Sequence, residues 1–137
     1  MPVVKRIKSH GYAKDNSVAA IGRLIRRQAS QEAVSYWVSQ LPLRWDKQEA
    51  KAAHHLLAEV SVAYPSLVLG PNKENLEAVI RIFSDILETK LLEESTSPKI
   101  REFINSVQKL PELQQVFRSL RSLQQTKLSK LMENYSP

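Results

Sequence analysis

The sequence predicts an all-α fold, and three observations carry that expectation. Apolar residues recur at helical spacing from about residue 13 to residue 135. No stretch alternates with period two strongly enough to form a strand. Prolines and short polar caps then cut the periodic pattern into segments of helix length.

Taken in order, Val18, Ile21, Leu24 and Ile25 mark a first helix, expected to start between Ser9 and Asn16. Val34, Trp37, Val38 and Leu41 mark a second, ended by Pro42 because a residue before proline is pushed out of helical geometry. A third runs from Lys47 to Tyr64, with Asp46 as cap, Glu49 as the other half of a capping box, and Pro65 as stop. Gly70-Pro71-Asn72 is a turn, with Asn72 as cap for the next helix. That helix is the clearest of all. Leu76, Val79, Ile80, Phe83, Ile86 and Leu87 form one stripe, with Glu77, Arg81, Asp85 and Glu88 opposite. After the polar run 93–97, Ser97-Pro98 opens a fifth helix carrying Ile100, Phe103, Ile104 and Val107. Leu113, Val116, Phe117 and Leu120 define a sixth, and Leu123, Leu128, Leu131 and Met132 a seventh that starts at Ser122.

Short turns make sequential helices antiparallel neighbours, which fits a closed bundle or helical hairpins stacked as a solenoid. Paired starts near Ala13, Asp46 and Ser97 tip the balance slightly toward the solenoid, at a spacing near that of HEAT or armadillo units. Residues 1–12 are set apart as a basic N-terminal extension with room for disorder, ahead of repeats at about 13–41, 46–92 and 97–135.

Composition excludes several chemistries. The 137 residues contain no cysteine, so disulfides, thiolate metal sites and cysteine nucleophiles are absent. The three glycines, Gly11, Gly22 and Gly70, are too dispersed for a phosphate-cradling loop. The opening MPVVKRIKSH holds no apolar run of signal-peptide length and no stretch is long enough to cross a membrane, so the Asn134-Tyr135-Ser136 sequon is not expected to be glycosylated. His54 and His55 point about 100° apart on a helix, and a His55–Glu59 pair supplies only two of the three or four ligands that zinc takes. No serine sits in a nucleophile elbow. Neither catalytic residues, a metal nor a cofactor is expected.

The net charge of +6 suggests nucleic acid, yet its distribution argues otherwise. Residues 1–30 carry +6, residues 31–97 carry −4 and residues 98–137 carry +4. A nucleic-acid groove shows a continuous basic stripe instead. Lys5-Arg6-x-Lys8 is a short terminal cluster of a kind common by chance. The residues singled out for protein contact are Arg44 and Trp45, in a turn with no apolar stripe to join, and Arg23, Arg26 and Arg27. Trp45 has a plainer use, covering the end of a neighbouring helix.

Two stretches go beyond periodicity: Leu41 to Ala50, LPLRWDKQEA, and Leu67 to Leu76, LVLGPNKENL. With Ala13-Lys14-Asp15-Asn16 and Ala19-Ala20-Ile21-Gly22 upstream, they resemble the C-terminal end of karyopherin-β nuclear import receptors, of the importin-five and importin-four branch. The likeness covers about Ala13 to Thr89; from Leu91 onward only the arrangement of helices persists. The resemblance implies a right-handed α-solenoid of about three HEAT-like hairpins with a C-terminal capping helix. It further implies a non-catalytic scaffold working between cytoplasm and nucleus, with protein cargo, the Ran GTPase and phenylalanine-glycine nucleoporins as partners. No family binding residue transfers to these positions. On this reading the chain is a portion of a longer receptor. A stand-alone helical adaptor and a small basic nucleic-acid-binding domain are the alternatives.

Two further expectations concern the ends. A polar outer face on the last helix, from Gln124, Gln125, Lys127, Lys130 and Glu133, suits a terminal cap. At the other end, an apolar patch at Val18, Ile21 and Ile25 is expected to be open and to drive self-association.

Overall fold

A computed structural model describes the backbone of residues 3–27 and 30–133 and the side chains of residues 11–25 and 30–133. The chain is all-α. Its helices are α1 (Val3–Arg27), α2 (Gln31–Ser39), α3 (Lys47–Ala63), α4 (Pro65–Leu69), α5 (Leu76–Ile86), α6 (Ser97–Val107), α7 (Pro111–Ser119) and α8 (Ser122–Glu133), with a 3-10 turn over Glu94–Thr96. Among the described residues none is in a strand.

Local chemistry sets most of these boundaries. The Ser30 hydroxyl accepts from the backbone N–H of Ala33 and caps α2. Asp46 caps α3 by accepting from the N–H of Glu49 at 3.1 Å. Pro65 stops α3 and opens α4 as its first residue, a short helix the periodic pattern missed. Helix α5 begins at Leu76 after Asn75, so Asn72 is not its cap. The Asn75 amide instead donates to the Val68 carbonyl and the Ser35 hydroxyl, tying the turn to α4 and α2. At the other end of the chain, α1 starts at Val3, earlier than the expected Ser9–Asn16 window and inside the stretch set apart as an extension. Gly11 and Gly22 within it cost about 1 kcal/mol each relative to alanine and do not end it.

Helix α3 packs against both α1 and α6. Helix α2 packs on α4 and α5, and α5 in turn on α7 and α8. Contacts of α1 with α2, α3 with α4, and α6 with α8 join the two sets. One continuous core runs through these helices with α7 packed at its edge, from Val34, Trp37 and Leu57 to Val79, Phe83, Ile100 and Phe103, each fully or almost fully buried. Phe83 and Phe103 meet edge to face with ring centres 5.7 Å apart, joining α5 to α6.

The core overturns two expectations at the ends. Val18 and Ile25 are buried against α2 and α3 and Ile21 is half-buried, so the open apolar patch on α1 does not exist. The stripe that looked partnerless faces the two helices that follow it. At the far end Gln124 is buried, not part of an outer face. Its amide donates to Asp85 at 2.7 Å and its carbonyl oxygen accepts from the N–H of Arg121 at 2.9 Å.

Candidate functional site

The loop of residues 40–46 between α2 and α3 holds two of the five residues singled out in the sequence. Its backbone lies outside any helix, so its N–H groups need acceptors from elsewhere. The Gln40 and Leu41 N–H groups bond carbonyls at the end of α2, and two buried side chains serve Leu43, Trp45 and Asp46. Asp15 of α1 is 2% exposed, and its Oδ2 accepts from the N–H groups of Trp45 at 2.7 Å and Asp46 at 2.9 Å. His54 of α3 is fully buried, and its Nε2 accepts from the N–H of Leu43 at 3.0 Å. The other ring nitrogen, Nδ1, donates to the Leu91 carbonyl at 2.8 Å, which assigns the proton to Nδ1 in the neutral ring. One loop is thus clamped to α1, to α3 and to the segment after α5.

Trp45 spreads over Gly11 of α1, where any Cβ would collide with the indole, and remains 40% exposed. It covers a neighbouring helix and leaves one edge to solvent. Arg44 turns the other way, toward Asp85 of α5 at 3.8 Å. Asp85 also faces Arg121 at 3.9 Å, and its carbonyl accepts from Lys127 at 3.3 Å. Arg23 pairs with Glu49 of α3 at 3.1 Å and lies 12 residues along α1 from Gly11, roughly 18 Å. Arg44, Trp45 and Arg23 therefore do not converge on one site. The side chains of Arg26 and Arg27, the Lys5-Arg6-x-Lys8 cluster and the Asn134 sequon lie outside the described residues.

Asp15 and His54 are the polar residues that matter most here, and both carried a signal. Asp15 is in phase with Val18, Gly22 and Ile25, and His54 with Ala50, Leu57, Ala58 and Ser61. A polar residue on a buried stripe must find a partner inside.

The other histidine with a described side chain, His55, is held by two neighbours. His55 Nε2 meets Glu59 at 2.9 Å and Nδ1 meets the Thr96 hydroxyl at 2.7 Å. The three side chains line up as a hydroxyl, a base and an orienting carboxylate would. Thr96 is fully buried, so its hydroxyl is closed to any substrate. Among the described residues no group of three or more metal-ligating side chains converges. No helix of the described residues is long and apolar enough to cross a membrane. No protein-family model matches the chain.

Burial lowers the His54 pKa from its ordinary 6.5, outweighing the opposing pull of the Leu91 hydrogen bond and of Asp15, while Arg44 lowers it further. The folded state therefore holds the neutral ring more strongly than the unfolded chain does. The stability this gives is fully present above pH 6.5 and falls as acidification passes from there through the lowered folded value. Urea unfolding at pH 7.5 and pH 5, set about one unit or more to either side of the ordinary histidine value, is expected to show that loss. The H54Q variant should be less stable at the higher pH and show a smaller drop between the two. An unchanged drop in H54Q would assign the pH dependence to other groups.

Proposed function

We propose that the chain is a non-catalytic protein-binding scaffold, a HEAT-like C-terminal segment of a nuclear import receptor. One observation carries the reading. Helix α3 contacts both α1 and α6, while α2, α4, α7 and α8 all contact α5, an order of neighbours that supports stacked hairpins. Stacked hairpins of this kind build solenoids, whose extended faces bind other proteins.

The residues behind the karyopherin-β resemblance have work that suits such a stack. Asp46 caps α3, and the Gly70 turn, with φ of 86°, returns the chain from α4 to α5. Purified chain passed over beads carrying phenylalanine-glycine repeats is expected to be retained, and retention should be lost with serine-glycine repeats. Equal flow-through on both would remove the transport reading. The architecture has its own test in small-angle scattering. A stack should exceed the roughly 14 Å radius of gyration of a compact domain of this length, and a value at that figure would favour the bundle.

A further inference from the structure

Helix α7 is amphipathic, yet none of its residues is buried. It packs mainly on α5, and its apolar stripe is left partly open toward α8 and the end of α6. The opening is a groove of about 750 Å³. Leu113 and Phe117 of α7 line one wall and Leu128 and Met132 of α8 line the other, each pair one helical turn apart. Phe117 is 37% exposed. The only charged residues lining the groove are Lys109 and Arg118, both cationic and neither in an ion pair among the described residues.

We propose that this groove is a docking site for an acidic amphipathic helix of a partner protein. Two facing walls with apolar side chains at one-turn spacing offer a third helix the ridges and hollows by which helices pack. Such a helix would seat leucine-type anchors between Phe117 and Met132 and set its carboxylates against Lys109 and Arg118. The charge decides among occupants. A second copy of this face would bring four cations together, whereas an acidic partner neutralises two and is steered in by them. This inference names a partner class for the scaffold reading and rests on it. It is separable from the receptor assignment, because an adaptor with the same groove would bind the same helix.

The test uses the full chain, labelled with nitrogen-15, and a synthetic helix of about 16 residues with leucines at helical spacing and glutamates on the flanks. A control peptide replaces every glutamate with lysine. Amide shifts are expected around residues 104–118 and 128–132 with the acidic peptide, at an affinity about tenfold above the lysine peptide. The K109E/R118E variant should reverse that preference, and the F117S variant should weaken both peptides. Phe117 and both cations are solvent-facing, so these variants keep the fold, which circular dichroism would check. Equal binding of the two peptides, shifts elsewhere, or no binding at millimolar peptide would overturn the proposal. So would groove shifts that follow protein concentration without peptide, which would assign the face to a second copy. Retention of the chain on nucleoporin repeats with no peptide binding would sink the groove and leave the receptor reading intact.

Discussion

Replacing Trp37 with alanine is expected to destabilise the fold by about 3–5 kcal/mol, the range for emptying a buried aromatic site. Trp37 is fully buried on α2 and lies against the backbone of α1 at Gly22. A Cβ added at Gly22 would come within 2.8 Å of the indole Nε1. The ring is enclosed by core and cannot yield. G22A is therefore expected to cost stability by about 1–3 kcal/mol through overpacking, although alanine is the better helix former by about 1 kcal/mol. The two changes are coupled. In W37F, which shortens the ring system and removes an indole N–H with no hydrogen-bond partner, the penalty of G22A should shrink. Urea unfolding of the four proteins in the cycle would show it. Strict additivity would mean that α1 and α2 do not meet through this pair.

The second large effect belongs to Asp15. Changing it to alanine leaves the N–H groups of Trp45 and Asp46 without their acceptor and is expected to cost about 2–4 kcal/mol, from two charge-assisted bonds in a partly buried setting. D15N keeps one carbonyl oxygen and should lose less. Hydrogen exchange gives the local readout, since the amides of residues 45 and 46 should exchange faster in D15A relative to the core of α5. Unchanged protection at both amides would mean that the loop holds itself without α1.

Helix existence was legible in the sequence because burial on one side imposes a period that composition cannot hide. The stripe from Leu76 to Leu87 and the stops at Pro42 and Pro65 are readable one residue at a time. What went unread depended on partners distant in the chain. The inward stripe of α1 is covered by α2 and α3, which its own periodicity does not reveal. Gln124 is held inside by Asp85, 39 residues earlier, a partner its own segment does not show. Of the contact residues chosen from the sequence, Trp45 does cover a helix, while Arg44 and Arg23 are engaged in ion pairs with Asp85 and Glu49. Such exposed pairs contribute at most about 1 kcal/mol each and remain open to exchange for a partner's carboxylate. The groove beside α7 is illegible in the sequence for a different reason. Periodicity identifies an apolar stripe without saying how much of it a neighbour leaves bare.

Gly11 and Gly22 stand eleven residues apart, about three turns of α1, and so face nearly the same way. One receives Trp45 and the other Trp37. A helix held only by protruding side chains can slip along its groove, trading one knob for the next. Here two notches are filled by two wedges set at a matching interval, and the helix has a single seating. Adding one alanine between residues 11 and 22 would rotate one notch by about 100° relative to the other. The wedges would then act as a ruler that rejects any chain cut to the wrong length.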